Sequence, residues 1–198
     1  MRVVTLTPSL LSAAAAQLSR RIRAAQCHPT LIVGIRHGGA EVARLMRDDF
    51  ADTVYCEVQI SRPDTSHKGH GWLHAMLQHL PQWLCDVLRM AESRINEWRS
   101  RSAEPQRICD VTLTPEATAA LQAASHMPVI LLVDDAIDTG ATIMQARQRL
   151  LQQHPTAQIM VAVITVTTQH PLCDADFCLY HDRTLCRFPW SNDYKPKA

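Results

Sequence analysis

Uninterrupted apolar runs alternate along this chain with segments in which apolar residues return every three or four positions. The clearest run is Val-Ile-Leu-Leu-Val at residues 129–133. A short stretch that is apolar throughout is typical of a strand buried on both faces of a parallel sheet, whereas the wider spacing is typical of helices. The pattern predicts an α/β fold, with strands at residues 2–7, 30–35, 53–60, 107–113, 129–133, 158–167 and 176–180 and helices at 8–25, from about 40, 115–124 and 141–153.

Two acids follow the clearest run. Because Asp134 and Asp135 come directly after residues 129–133, we expect both at the carboxyl end of a central strand, where open α/β sheets bind ligands. The turn at residues 138–142, Asp-Thr-Gly-Ala-Thr, opens a helix with backbone N–H groups and two hydroxyls, which suits a phosphate. The carboxylates would then accept hydrogen bonds from sugar hydroxyls or hold a divalent cation. The alternative is that these residues only cap a helix.

A second loop with ligand-binding chemistry follows the strand predicted at residues 30–35. It reads Arg36-His37-Gly38-Gly39 and leads into a helix. Paired glycines allow a ligand to approach the backbone closely. The alternative is a tight strand-to-helix turn that binds nothing.

Residues 129–142 resemble the phosphoribosyl pyrophosphate (PRPP) signature of the type I phosphoribosyltransferases, and residues 36–39 are similar to the pyrophosphate loop of that family, although His37 stands where many members have arginine. The resemblance extends over about residues 31–167. It implies a parallel sheet flanked by helices, in which Asp134 and Asp135 hold the ribose hydroxyls and Mg²⁺. It also implies a 5-phosphate site at Asp138, Thr139, Gly140, Ala141 and Thr142 and a pyrophosphate site at Arg36, His37, Gly38 and Gly39.

The same resemblance implies a role for Asp138 in catalysis. In the 6-oxopurine members the acid at this place lies near the base and can manage its proton, so Asp138 is the candidate general base. In other members this acid only organises the phosphate loop, and that alternative stays open. The 6-oxopurine enzymes usually also bring a lysine from the end of the next strand, where this chain has Thr167. The difference argues against hypoxanthine or guanine and favours another, larger or non-standard acceptor.

The segment between the strands predicted at 53–60 and 107–113 is longer than a loop requires. In the family a mobile lid lies here, which implies that Arg62 and Lys68 contact pyrophosphate; a solvated basic loop is the alternative. Apolar residues at helical spacing then predict two helices separated at Pro81, forming a helical insertion over about residues 66–104. Large side chains suited to the core, to a homodimer contact or to a wall of the substrate site are Trp72, Trp83 and Trp98.

The tail, about residues 168–198, carries Phe188-Pro189-Trp190. This segment is similar to the C-terminal hood of xanthine-type and related small purine phosphoribosyltransferases. The similarity implies that Phe188 and Trp190 stack on a planar base, and packing in the core is the alternative. We therefore expect residues 1–198 to form a single phosphoribosyltransferase-like domain with a helical insertion and a small hood.

Composition limits the partners and the compartment. With 46% apolar and 20% charged residues and a net charge of +1, the chain is an ordinary globular one without a general attraction for nucleic acid or an anionic membrane. Its seven cysteines are odd in number and form no Cys-x-x-Cys motif, which indicates a reduced, cytoplasmic protein. We find neither a signal peptide nor a membrane-spanning segment in the sequence.

Together these features predict a Mg²⁺-dependent phosphoribosyltransferase that transfers a phosphoribosyl group between PRPP and a nitrogenous base or base-like acceptor. The expected partners are PRPP and a small-molecule acceptor, without nucleic acid or membrane, and a homodimer is one alternative use of the insertion. A non-catalytic PRPP-sensing regulator and the reverse, pyrophosphorolytic reaction are the alternative functions.

Overall fold

The computed structural model describes residues 2–60, 80–100, 111–181 and 183–195, including every side chain except those of residues 92, 93 and 96–100. Its elements, in chain order, are β1 (Arg2–Thr5), α1 (Pro8–Ala24), β2 (Leu31–Ile35), α2 (Gly38–Met46), a short 3-10 helix (Arg47–Phe50), β3 (Val54–Val58), α3 (Gln82–Ser100), α4 (Pro115–Ala123), β4 (Val129–Ile137), α5 (Ala141–Gln153), β5 (Gln158–Val166), β6 (Phe177–Tyr180) and β7 (Thr184–Arg187).

Five strands form a parallel sheet in the order β3-β2-β4-β5-β6. The chain leaves β2 for β3 on one side and leaves β4 for β5 on the other. β2 runs beside β4 only as far as the pair Gly34 and Val133, whereas β4 stays paired with β5 as far as Ile137 and Val166. The crevice beyond the end of β2, next to β4, is therefore the switch point at which sheets of this kind bind ligands.

Helices cover both faces of the sheet because successive strand residues face opposite sides. Ile130 and Leu132 lie in a core shared with α4 and α5. Leu131 and Val133 lie in a second core, shared with α1 and α2. All four are fully buried, and the three layers confirm the predicted α/β fold.

Proline and threonine start two of the covering helices. Thr7 caps α1 by accepting a hydrogen bond from the backbone N–H of Leu10 at 3.3 Å. Thr114 caps α4 in the same way, accepting from Ala117 at 3.2 Å. Each cap satisfies one backbone donor that the helix itself cannot pair.

A second, two-stranded parallel sheet joins β1 to β7. Just beyond it, the backbone N–H of Leu6 donates to the carbonyl of Arg187 at 2.8 Å. Leu6 and Phe188 then enter the core shared with α1 and α2. The hood therefore consists of β1, β7 and the residues that follow β7, so the first strand contributes to it as well as the tail.

A buried charge network fastens α3 to this hood. Arg187 in β7 is 1% exposed, and it donates to Asp193 at 2.8 Å, to the hydroxyl of Thr5 at 2.8 Å and to the carboxylate of Asp86 in α3. Arg89 of α3 donates to the other oxygen of Asp193. Because these groups come from β1, α3, β7 and the tail, the network fixes four segments of the chain together.

The structure differs from the sequence-based expectation at three elements. The strand predicted at residues 129–133 is longer than expected, because β4 stays paired with β5 and continues to Ile137. Val111 to Leu113 lie in no strand, although residues 107–113 were expected to form one. Trp83 on α3 is 65% exposed, so it does not anchor that helix in the core.

Other expectations about the insertion fall partly outside the described residues. The predicted break at Pro81 agrees with the start of α3 at Gln82. The lid residues Arg62 and Lys68, the first insertion helix and Trp72 lie outside the described residues, as does the side chain of Trp98. Within the described part of the chain, every helix is too short or too polar to cross a membrane.

Candidate active site

The acidic residues of β4 lie at the switch point. Asp134 still pairs with Val163 of β5, but the pairing between β2 and β4 ends one residue earlier, at Gly34 and Val133. The sequence placed both acids at the carboxyl end of a strand that ends at residue 133; they lie within β4, just after the last pair that it forms with β2. Both side chains are half-buried, and the backbone N–H of Asp135 donates to Asp134 Oδ1 at 2.9 Å.

In the part of the chain that the structure describes, little positive charge lies near the two carboxylates to compensate their negative charge. Burial raises the pKa of both carboxyl groups, and the neighbouring charge of Asp135 raises the pKa of Asp134 further. Among the ion pairs of the described residues, none involves Asp134 or Asp135. A cation or a hydrogen-bond donor placed here would relieve the desolvation and the mutual repulsion.

The start of α2 rests directly on these acids. A Cβ atom added to Gly38 would lie 2.1 Å from Asp135 Oδ2, and one added to Gly39 would lie 2.4 Å from the carbonyl oxygen of Val133. No side chain fits in either space, so only glycines permit this approach. The structure thus joins the glycine loop to the acidic residues, two features that the sequence placed almost a hundred residues apart.

The two cationic candidates of that loop lie on the exposed side. Arg36 and His37 are both exposed, and the peptide bond between them is cis. Arg36 Nε donates to Glu57 Oε2 at 3.3 Å. An exposed ion pair of this kind is weak, so Arg36 can exchange Glu57 for an anionic ligand at little cost.

The turn predicted to bind a phosphate opens α5, as expected. Gly140 has φ of +79°, a left-handed conformation that favours glycine, and a Cβ there would lie 2.8 Å from the backbone nitrogen of Cys173. Thr139 accepts from Ala141 N through its hydroxyl at 3.2 Å and from Leu172 N through its carbonyl at 2.8 Å. The segment after β5 therefore supports the turn from behind.

Asp138 is exposed at the start of this turn. Its Oδ1 accepts a hydrogen bond at 2.6 Å from the hydroxyl of Thr167, a residue that is only 5% exposed. The backbone N–H of Thr167 donates to Ile137 O at 2.9 Å, which fixes the threonine at the end of β5. Thr167, which stands where the 6-oxopurine enzymes usually have a lysine, therefore holds the candidate general base Asp138.

The aromatic tail reaches the acidic residues from the hood. The indole N–H of Trp190 donates to Asp135 Oδ2 at 3.0 Å. Its ring stacks on Phe188, with centroids 5.0 Å apart and planes 4° apart. Phe188 is 4% exposed and belongs to the core, whereas Trp190 is 38% exposed, so of the two rings predicted to stack on a base only Trp190 has appreciable free surface.

Three contacts of the site could not be found from the sequence. They are Trp190 with Asp135, Thr167 with Asp138, and residues 172–173 with the turn at Gly140. The first joins residues 55 positions apart and the second residues 29 apart. No local pattern marks such contacts, because they depend on how the hood and β5 fold back on β4.

Known proteins resemble this chain in structure but not detectably in sequence. No family model matches it, and no curated protein does. A purine phosphoribosyltransferase from Pyrococcus horikoshii is similar with a TM-score of 0.61 at 14% identity, over 100% of this chain and 99% of that one. The Helicobacter pylori xanthine-guanine-hypoxanthine phosphoribosyltransferase gives a TM-score of 0.58 at 13% identity, over 96% and 94% of the two chains.

A third similar structure is a hypothetical protein from Neisseria gonorrhoeae with bound ppGpp, which has a TM-score of 0.56 at 14% identity and covers 96% of this chain and 89% of its own. At such low identities the likeness shows the fold. The predicted fold, that of the type I phosphoribosyltransferases, is confirmed over nearly the whole length of the chain.

Proposed function

We propose that the protein is a Mg²⁺-dependent phosphoribosyltransferase, which transfers the phosphoribosyl group of PRPP to a nitrogenous base or base-like acceptor and releases pyrophosphate. Residues 1–198 form one catalytic domain, which works in the cytoplasm. A reducing compartment is supported by the free thiols of Cys27, Cys56, Cys173, Cys178 and Cys186.

One observation carries the proposal: three binding elements of different chemistry converge on β4. The half-buried acids at 134 and 135 offer acceptors for hydroxyls, the turn before α5 offers N–H groups for a phosphate, and the glycine loop before α2 leaves room for a ligand against the backbone. PRPP has the matching three parts, namely ribose hydroxyls, a 5-phosphate and a pyrophosphate.

Each element has a defined task in this reaction. Asp134 and Asp135 accept hydrogen bonds from the ribose hydroxyls and so orient the sugar for substitution at C1. Residues 138–142 bind the 5-phosphate at the positive end of the α5 dipole. The glycine loop, with Arg36 and His37, contacts the departing pyrophosphate, and the hood excludes water that would hydrolyse the donor.

The acidic residues also fit a magnesium ion. In the described part of the chain, no cluster of three or more His, Cys, Asp or Glu side chains could hold a metal on its own. Two carboxylates suit Mg²⁺, because this ion commonly takes one or two protein carboxylates and fills its remaining positions with water and substrate phosphates. When bound, Mg²⁺ would neutralise charge on the leaving pyrophosphate.

Asp138 is the proposed general base for the acceptor nitrogen. Its carboxylate is exposed, and one of its oxygens is held by Thr167 at 2.6 Å, so the group is both accessible and oriented. The acceptor itself is proposed only as a class. A planar, nitrogen-containing ring fits the exposed part of Trp190.

Calorimetry with PRPP and Mg²⁺ tests the donor site. Wild-type protein should bind saturably, and Asp134→Asn/Asp135→Asn should lose binding by at least about a hundredfold, because two charged hydrogen-bond acceptors are replaced by neutral amides. Asp48→Asn/Asp49→Asn is the matched control, since it neutralises another adjacent acidic pair, on the 3-10 helix, and should bind normally. Absence of wild-type binding would refute the proposal.

A panel of bases added to the PRPP complex then separates the functions. Pyrophosphate release with one acceptor supports the transferase, and incubating nucleotides with pyrophosphate tests the reverse reaction. Binding without turnover supports the alternative, a PRPP sensor. The panel includes ppGpp as a competitor, because one similar structure carries it.

A further inference from the structure

Trp190 holds a place in the site that stacking on a base does not explain. Its ring edge, and not only its face, contacts the site, because the indole N–H donates to Asp135 Oδ2 at 3.0 Å. It is a neutral donor from outside β4 that reaches one of the two acids directly. A base-stacking role alone would not require this contact.

The indole is held firmly enough to act on Asp135. One face is stacked on the buried ring of Phe188. The turn that carries it is closed by hydrogen bonds from Ser191 N to Phe188 O at 2.9 Å and from Phe188 N to Ser191 Oγ at 3.0 Å. Asp193, which follows, is fixed by Arg187 and Arg89. Trp190 therefore belongs to the rigid part of the hood.

Asp135 is confined from two directions. Gly38 lies against its carboxylate on one side, where an added Cβ would be 2.1 Å from Oδ2 and 2.9 Å from Oδ1. The Trp190 N–H binds Oδ2 from the hood. A carboxylate constrained in this way keeps one orientation, and preorganised acceptors bind a hydroxyl with a smaller entropic cost.

We propose that Trp190 is a positioning residue of the PRPP site, which holds the Asp135 carboxylate through its indole N–H in the orientation that accepts a ribose hydroxyl. This inference rests on the proposed function, since it concerns the ribose part of the same donor. It also makes the hood a contributor to donor binding, in addition to its expected contact with the acceptor.

Calorimetry on Trp190→Phe tests the inference, because phenylalanine keeps a ring to stack on Phe188 and loses the N–H donor. The probes are PRPP with Mg²⁺, ribose 5-phosphate, and pyrophosphate without Mg²⁺, which keeps the metal held by Asp135 out of the comparison. We expect PRPP and ribose 5-phosphate to bind about tenfold more weakly, the loss typical of one hydrogen bond to a charged group, and pyrophosphate to bind as in the wild type. Trp83→Phe, the same change at a residue that is 65% exposed on α3, should bind all three normally.

Each other result has a distinct meaning. Unchanged or tighter binding of ribose 5-phosphate by Trp190→Phe overturns the inference, and so does an equal loss for all three probes, which would indicate a purely structural role. Failure of the wild type to bind PRPP refutes the proposed function instead.

If Trp190→Phe does not fold, the indole N–H signal of Trp190 in the wild type provides the measurement. The signal is assigned by its persistence in Trp72→Phe, Trp83→Phe and Trp98→Phe. The signal should shift on addition of ribose 5-phosphate and should not shift with pyrophosphate. A signal that does not shift with ribose 5-phosphate overturns the inference.

Discussion

Buried charge is paired within the protein in the hood, whereas the acidic residues of β4 lack a charged partner within the described ranges. Asp134 and Asp135 are like charges side by side, with an indole N–H but no cationic side chain of the described residues paired to them. In the hood, Arg187 and Arg89 pair with Asp193 and Asp86. Charge that the protein leaves uncompensated indicates a ligand site, whereas charge that it pairs internally stabilises the fold.

The largest expected effect on stability comes from removing one partner of the charge network in the hood. Arg187→Met should lower the free energy of unfolding by about 3–5 kcal/mol, because it leaves the buried carboxylate of Asp193 and the half-buried carboxylate of Asp86 without the arginine that joins them. Urea denaturation measures the loss. Arg23→Met is the matched control: its side chain is 60% exposed and lies 3.8 Å from Asp49, so it should cost about 1 kcal/mol or less. Equal losses would mean that burial of the network is unimportant.

A smaller effect is expected where the glycine loop meets the acids. Gly39→Ala should lower the free energy of unfolding by about 1–3 kcal/mol through overpacking against Val133 and should weaken PRPP binding. Gly34→Ala gives a matched comparison, because its Cβ would lie 2.7 Å from the Cα of Ala40, away from the acids. We expect a similar stability loss with PRPP affinity retained. If both variants lose affinity equally, the contact with the acids has no special role.

We expect the acidic residues of β4 to lower the free energy of unfolding of the ligand-free protein, although they are needed to bind PRPP. Asp134→Asn should raise the free energy of unfolding at neutral pH by about 0.5–2 kcal/mol, because it removes one of two like charges from a half-buried position. The same variant should bind PRPP less tightly. Thermal denaturation without ligand measures the gain, and a variant less stable than the wild type would contradict the comparison.

The smallest and most specific effect is a difference in pH dependence. The pKa of Asp134 is raised in the fold, so the cost of its ionisation to stability is complete above that raised pKa, shrinks as the pH falls below it and is gone at the ordinary value of 3.8. Burial would also raise the pKa of Asp193, but hydrogen bonds and charges from Arg89 and Arg187 outweigh burial and lower it. Its stabilisation is therefore present above the ordinary value of 3.8 and is lost only as the pH falls below it.

Denaturation between pH 7 and pH 3 can separate these two regions. The stability difference between Asp134→Asn and the wild type should shrink while the pH is still above 3.8. The difference between Asp193→Asn and the wild type should persist to that pH and shrink below it. Two differences that shrink in the same pH range would show that the two regions are not distinct.

The parts that could be predicted from the sequence are those that local pattern determines. The apolar run at 129–133 predicted a central strand, and Asp-Thr-Gly-Ala-Thr predicted the turn into α5, because each depends on neighbouring residues. The last residues of β4 were missed, because Asp134 to Ile137 are kept in the sheet by β5 rather than by their own propensity. Trp190 on Asp135 and Arg187 on Asp86 were also missed, since they join residues far apart in the chain.

The pairing of β1 with β7 has a consequence for biosynthesis. Thr5 contacts Arg187 across 182 positions, so at a translation rate of about 5–20 residues per second the first strand waits about 10–35 s for its partner. The five-stranded sheet, whose last strand ends at Tyr180, can pair sooner. The hood then assembles on a newly made chain after the five-stranded sheet, and Trp190 reaches the acids of β4 only after the strands of that sheet can pair.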